Sequence, residues 1–248
     1  MPANRMDDAS VSDGPLWAAV PFKGPIGSKR RLAPLLDETE RADLSLAMLD
    51  GVLDALLAEP SVDVILVTAP SDTGPLLRRH ERLVLLTEER EDRLDGRADN
   101  LNRALRQAQA AASSGGASGL LILPSDLPSL GPLDVQALLR ERRRPGVVIA
   151  PDRAASGTNA LLLTPPLTLQ PAFGEASFER HCRLAAAAGL DVTRVERPGL
   201  ALDLDTPADV ARLLASGKDS RAARLLRRLD APARLDRLGL PQARSATI

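Results

Sequence analysis

Three short stretches set carboxylates and cations where a polyphosphate could be handled. In Leu121-Ile122-Leu123-Pro124-Ser125-Asp126-Leu127-Pro128 an apolar strand runs directly into an aspartate flanked by prolines. The prolines fix the backbone and remove competing donors, so Asp126 is held at the strand's exit. A lone carboxylate there suits Mg²⁺, which takes oxygen ligands and commonly only one or two from the protein; a turn or helix-capping aspartate is the alternative. Leu202-Asp203-Leu204-Asp205-Thr206-Pro207-Ala208-Asp209 carries a close pair of carboxylates. Strand alternation puts Asp203 and Asp205 on one side with Leu204 opposite, and such a pair repels unless a cation lies nearby. The third stretch is Lys23-Gly24-Pro25-Ile26-Gly27-Ser28-Lys29-Arg30-Arg31. The chain has three lysines, and two of them, Lys23 and Lys29, stand in this loop. Exposed amides beside cations suit a triphosphate, which makes Lys23, Lys29 and Arg31 candidate catalytic cations; a solvated basic surface loop is the alternative. The spacing is neither that of a Walker A loop nor that of a dinucleotide fingerprint.

Two further stretches offer hydroxyls and backbone amides at glycine turns. One is Pro151-Asp152-Arg153-Ala154-Ala155-Ser156-Gly157-Thr158-Asn159, between two strands. The other is Phe173-Gly174-Glu175-Ala176-Ser177-Phe178, at the start of a helix. A helix N-terminus with Ser177 forms a phosphate seat, or else a cap with Phe178 in the core. Asn102 could read a base or ribose, or only cap its helix. Arg140–Arg144 reads as a solvated helix end. His181 and Cys182 fall mid-helix, and no nucleophile elbow accompanies them.

The elements that must position these residues alternate. Strands are expected at Leu16–Phe22, Val62–Thr68, Leu83–Leu86, Gly119–Leu123, Val147–Ala150, Asn159–Leu163 and Val192–Val195. Helices are expected over roughly 38–58, 99–112, 132–143, 175–188 and 207–215. Leu44, Ala47, Met48, Gly51, Val52, Ala55 and Leu56 give the first of these its helical period. Thr206 as N-cap, Pro207 in the first turn and Asp209 near the positive helix end start the last. This alternation predicts an α/β fold, a mostly parallel central sheet with helices on both faces. Ligands in such sheets bind past the carboxyl ends of the strands, which is where the candidate residues fall.

Composition removes other classes. The net charge is -1, so there is no overall positive field to hold nucleic acid. Aromatics are 2% with no tyrosine, which argues against a base-stacking platform. One cysteine, Cys182, and two histidines, His80 and His181, exclude an intrachain disulfide, a cysteine zinc cluster and a multi-histidine metal site. The apolar runs are strand-sized and the start is polar, so neither a membrane span nor a signal peptide is expected, and the reading is cytoplasmic. Residues 1–15 read as a disordered leader, 16–217 as the catalytic domain and 218–248 as a basic helical extension. The extension sets eight Lys and Arg against three Asp, with Leu225, Leu226 and Leu229 as a small apolar face. It reads as a peripheral helix or as a contact surface for a partner or second subunit, which leaves a homo-oligomer open.

Taken in order, these motifs resemble the 2-phospho-L-lactate / phosphoenolpyruvate guanylyltransferases of deazaflavin coenzyme F-420 biosynthesis. The resemblance rests on Val20-Pro21-Phe22-Lys23 with Ser28–Pro34, on Leu44–Leu49 and on Asp99-Asn100-Leu101-Asn102. It continues through Pro124–Pro128, Ala150–Arg153 with Gly157-Thr158-Asn159-Ala160, Phe173–Phe178 and Pro198–Pro207. It covers about Leu16 to Leu214. The G-T-N-A and F-G-x-x-S-F pieces are its most specific parts. Phe22 departs from the small aliphatic residue often found in the family, and the resemblance names no match for the extension from Lys218.

The resemblance implies a glycosyltransferase-A-like nucleotidyltransferase fold and transfer of GMP from GTP to the phosphate of a three-carbon acid, with pyrophosphate released. The acid would be 2-phospho-L-lactate, phosphoenolpyruvate or 3-phosphoglycerate. The product would pass to a downstream deazaflavin transferase. The family's metal aspartates fall on Asp126 and Asp203, with Asp205 beside them, and the cofactor implied is Mg²⁺. Its acid-phosphate contacts fall on Thr158, Gly174 and Ser177, with Asn102 and Asn159 as further substrate-binding candidates. Lys23, Lys29 and Arg31 match its N-terminal motif, near the triphosphate. The competing readings are a nucleotidyltransferase for a molybdopterin or sugar phosphate, and a non-enzymatic binding module acting through the basic tail.

Overall fold

The structure, a computed structural model, describes residues 14–77, 79–88, 97–165 and 167–240, with backbone alone for 88 and 97–99. The leader expected over 1–15 therefore lies outside the described residues as far as residue 13, and so does Arg244 of the extension. In the described part, seven strands form one sheet in the order β3-β2-β1-β4-β6-β5-β7. They are β1 (Leu16–Pro21), β2 (Val62–Pro70), β3 (Leu83–Glu88), β4 (Gly119–Ile122), β5 (Gly146–Pro151), β6 (Thr158–Leu163) and β7 (Asp191–Arg194). Pairs β1–β2, β2–β3, β1–β4 and β5–β7 are parallel. Strand β6 runs antiparallel to both β4 and β5. The mostly parallel sheet expected from the alternation is thus present, and β6 alone reverses direction. That reversal brings the first residue of β6, Thr158, to the edge at which the parallel strands end.

Helices α1 (Glu38–Leu57) and α3 (Pro132–Arg140) cover one face of the sheet, and α2 (Arg97–Ser114) and α4 (Ser177–Ala187) the other. Successive residues of a strand point to opposite faces, and both faces are covered. Val20, Ile65 and Val67 therefore pack beneath Val52 and Leu53 of α1, while Ala19, Leu66 and Ile122 pack beneath Leu105 and Ala108 of α2. This explains why β4, β5 and β6 are buried along their whole length.

A third apolar layer lies on the outer side of α1. Leu44 and Met48 of α1 meet Val210, Leu213 and Leu214 of α5 (Pro207–Ala215), Ala222, Ala223 and Leu226 of α6 (Arg221–Arg228), and Ala231 and Leu235 of α7 (Ala231–Arg237). The small apolar face of the extension is turned inward, and among the described residues its arginines other than Arg234 are exposed. Arg234 is structural. Arg234 donates from both guanidinium nitrogens to the Glu40 carboxylate, at 2.6 and 2.8 Å, and to the carbonyl of Leu35 at 3.1 Å. Glu40 also closes the capping box of α1 with Asp37, so α7 is fastened to the start of α1.

Candidate functional site

The site grows from three chain segments that leave the carboxyl edge of the sheet. After β1 the backbone makes one more ladder bond, Phe22 N–H to the Thr68 carbonyl at 2.8 Å, and then turns away. Gly24 and Gly27 have φ of +85° and +70°, and Lys29 itself has φ of +50°. Positive φ is costly for a residue with a Cβ. At Lys29 that conformation sends the side chain back across the cleft rather than out to water. Its ammonium donates to Asp126 Oδ2 and to Asp205 Oδ1, both at 2.7 Å. The Lys29 side chain is 9% exposed, against 30% for Asp126 and 43% for Asp205.

The second segment follows β4. Leu123 N–H bonds the Ala19 carbonyl at 3.0 Å, after which Pro124-Ser125-Asp126 leaves the sheet. The third segment, 202–206, is held beside it by Leu204 N–H to the Asp126 carbonyl at 3.2 Å. Leu204 is fully buried in the third apolar layer; Asp205 lines the cleft, whereas Asp203, expected beside it as a metal ligand, does not, because residues 202–205 leave the sheet as irregular chain without strand alternation. Thr206 and Asp209 form the capping box that starts α5, with Pro207 in its first turn.

Electrostatics follow from this crowding. Burial works against ionisation of Asp126, yet the charge and hydrogen bond of Lys29, with the charge of Lys23, hold its carboxyl below the usual carboxylate range. Lys29 is raised despite its burial, because both carboxylates favour its ammonium. Asp203 goes the other way. Burial and the like charges of Asp126 and Asp205 raise it, and a backbone hydrogen bond and the charge of Lys29 offset them only in part. The site therefore gathers three carboxyls, Asp126, Asp203 and Asp205, around one hydrogen-bonded lysine.

A cleft of about 450 Å³ opens here, lined by Lys23, Lys29, Arg30, Asp126, Asp205 and Phe173, among others. Arg30 lines it and Arg31 does not, although both lie in the same 3-10 turn, Arg30–Leu32. Neighbouring side chains in a tight turn point in different directions, so the expectation that Arg31 faces the cleft is corrected to Arg30. Among the described residues no group of three or more His, Cys, Asp or Glu side chains is arranged to hold a metal ion. The two carboxylates Asp126 and Asp203 nevertheless suit an open site completed by substrate phosphates, the arrangement Mg²⁺ favours.

The remaining candidates do not line the cleft; Gly174 is exposed and the other four form a buried layer. Thr158, Asn159, Ser177 and Asn102 are each less than 9% exposed. Asn159 donates to the Leu200 carbonyl at 2.8 Å, which ties the start of β6 to the loop leading to Asp203. Asn102 holds Phe173 from both sides, accepting from its N–H at 2.7 Å and donating to its carbonyl at 3.0 Å. Its side chain thus fixes the Phe173–Ser177 turn, in which Gly174 and Ala176 have φ of +124° and +49°. Phe178 N–H bonds the Ser156 carbonyl at 3.1 Å, joining that turn to the β5–β6 hairpin. A Cβ at Gly157 would stand 2.9 Å from Asp152 Oδ2, so any larger residue there would displace the Asp152 carboxylate. Sequence reasoning passed over His181. It is fully buried and bonded to Thr158, and a lone histidine inside a helical stretch carries no local mark of that.

Comparison with known proteins bears on this arrangement. The family described as "Guanylyl transferase CofC like" matches residues 16–238. The phosphoenolpyruvate guanylyltransferase of Rubrobacter xylanophilus is 42% identical over 203 residues, covering 82% of this chain and 95% of that relative. The 3-phospho-D-glycerate guanylyltransferase of Phenylobacterium zucineum is 35% identical over 212 residues, covering 84% and 94%. Among solved structures, a protein assigned as a nucleotide-diphospho-sugar transferase from Desulfovibrio desulfuricans G20 superposes with a TM-score of 0.72 over 90% of this chain and 98% of that one, at 18% identity. That likeness bears on the fold, which is of the nucleotidyltransferase type expected from the motifs. With the match running from the first strand to the last helix, the chain belongs to the CofC-like guanylyl transferase family.

Proposed function

We propose that this chain transfers GMP from GTP to the phosphate of a three-carbon phospho-acid and releases pyrophosphate, supplying the acid-bearing nucleotide that a deazaflavin transferase consumes in coenzyme F-420 biosynthesis. Phosphoenolpyruvate is the first acid to test, because the relative at 42% identity is named for it. 3-Phosphoglycerate and 2-phospho-L-lactate follow. The observation that carries the reading is the Lys29 ammonium set between Asp126 and Asp205 at the carboxyl edge of the sheet.

Both reactants are anions, so the site must offset their repulsion. A phosphate oxygen of the acid attacks the α-phosphorus of GTP. The bond from that phosphorus to the oxygen bridging the α and β phosphates breaks, and its electron pair leaves with pyrophosphate. No side chain need remove a proton, since the attacking phosphate is already ionised near neutral pH. Lys23 and Lys29 present positive charge to the triphosphate, and Arg30 and Arg31 stand in the turn beside them. Asp126 and Asp203 would hold Mg²⁺, which when bound supplies charge neutralisation at the α-phosphate and at the leaving pyrophosphate. Thr158, Gly174 and Ser177 would bind the phosphate of the acid through hydroxyls and amides; Thr158 and Ser177 are buried beside the cleft and not in its lining, so this binding needs the Phe173–Ser177 turn to give way to the acid.

The test is product analysis. The purified chain is given GTP, Mg²⁺ and each acid in turn, and pyrophosphate release is followed. The guanylylated acid is trapped with the deazaflavin acceptor and its transferase. Pyrophosphate release that depends on one of the acids and stops when EDTA is added is expected. Release with none of the three, or undiminished by EDTA, would reject the reading.

A further inference from the structure

His181 is fully buried beneath the Phe173–Ser177 turn, and both of its ring nitrogens are engaged. The Ala172 backbone N–H donates to Nε2 at 2.9 Å. A backbone amide can only donate, so Nε2 carries a lone pair, and a neutral ring must bear its proton on Nδ1. Nδ1 lies 2.9 Å from Thr158 Oγ1. The ring is neutral at physiological pH. Burial and the charge of Arg180 push it down to about 4, against a smaller pull upward from the Ser177 backbone. The ring edge also packs on Phe173, with centroids 4.9 Å apart and planes at 70°.

The hydroxyl of Thr158 therefore meets an N–H, not a lone pair. Its oxygen accepts from Nδ1–H, a proton on which the Ser177 carbonyl also draws, and its own proton makes no hydrogen bond among the described residues. We propose that His181 is a positioning residue of the phospho-acid subsite, holding the Thr158 hydroxyl as a hydrogen-bond donor for an incoming phosphate oxygen. The inference rests on the reading that Thr158 serves the phosphate of the acid. A donor held in this way favours a phosphate dianion, which can only accept. It also links the two most specific motifs, because His181 sits one helical turn beyond Ser177 and reaches back to Thr158.

Two partial replacements separate the two hydrogen bonds of the ring. His181→Asn places an amide N–H near the position of Nδ1 and can still donate to Thr158. His181→Gln places a carbonyl near the position of Nε2 and can still accept from Ala172, but leaves Thr158 without its donor. The expected result is a KM for phosphoenolpyruvate, or for whichever acid the wild type uses, raised about tenfold in His181→Gln and only a few-fold in His181→Asn, with the KM for GTP within about twofold of wild type in both. Combined with Thr158→Val, His181→Gln should add no further rise, because residues acting through one contact are not additive. Equal rises in both KM values, or a full additional rise on Thr158→Val, would overturn the proposal.

A measurement on the wild-type protein guards against variants that do not fold. The chain has two histidines, so ¹⁵N imidazole spectra with His80→Gln for assignment read His181 directly. The neutral Nδ1–H tautomer is expected at pH 7. An Nε2–H tautomer in an enzyme that does guanylylate the acid would overturn the role of His181 alone. Absence of any acid-dependent turnover would instead overturn the function reading, and with it the phosphate assigned to Thr158.

Discussion

Lys29 and Asp126, 97 residues apart in sequence, are joined by a 2.7 Å hydrogen-bonded ion pair that closes one wall of the cleft. The same ammonium holds Asp205, while Asp203 stands next to both carboxylates and is raised by them. Three aspartates in one site therefore have unlike electrostatic roles, and substitutions should separate them.

Asp126→Asn is expected to lower kcat about 10²–10³-fold, the loss typical for a group stabilising transition-state charge. It should also lower stability, because Lys29 is left mostly buried with one carboxylate fewer. Steady-state kinetics at saturating GTP and acid, with thermal unfolding of the same sample, measure both.

Asp203→Asn should lower kcat comparably and leave stability unchanged or improved, since it removes a like charge. The sign follows from linkage. A carboxyl whose folded pKa is raised costs stability as pH rises through the range from its ordinary value, 3.8, to the raised one. Wild type should thus lose stability relative to Asp203→Asn as pH climbs through that range and keep the deficit at neutral pH. Equal stability of the two proteins at pH 3 and a gap at pH 7 is the expected unfolding result.

Lys29→Ala should reduce kcat/KM for GTP at least tenfold and lower stability by about 1–3 kcal/mol, the cost of leaving buried polar groups without their partner. Added Mg²⁺ should restore activity only in part. A kcat/KM within about twofold of wild type, under roughly 0.4 kcal/mol, would remove Lys29 from the triphosphate site.

Ser177→Ala should raise the KM for the acid about tenfold and leave that for GTP nearly unchanged, because a hydrogen bond to a charged group is worth about 1.5–3 kcal/mol. Initial rates with each substrate varied in turn decide it. A change confined to GTP would exchange the two subsites.

Arg234→Ala should destabilise the fold by about 1 kcal/mol, within the upper range for exposed ion pairs, and Leu226→Ala by about 2–5 kcal/mol, the usual cost of a buried leucine. The Arg234 effect should fade in acid. Arg234 depresses Glu40, so its contribution is present above the ordinary value of 4.5 and is lost as pH falls through the depressed one. Chemical denaturation at pH 7 and pH 3 separates the ionic part from the packing part.

Much of this was open to reading in the sequence because it depends on near neighbours. The period of residues 44–56 determines a helix with one apolar face. Thr206, Pro207 and Asp209 determine where α5 begins, since the capping box closes within three residues. The same locality puts Asp126 at the exit of β4. What tertiary structure decided are the contacts between segments far apart in the chain. Lys29 finds Asp126 and Asp205 only after three loops converge at the sheet edge, and its positive φ is tolerated because those partners hold it. Arg30 faces the cleft in place of Arg31 because the direction of a 3-10 turn is set by what it packs on. Asn102 and His181 became the supports of the Phe173–Ser177 turn only when α2 and α4 were laid on the same face. Such pairings depend on which surfaces meet across the sheet, and neither hydrophobic period nor residue spacing encodes that locally.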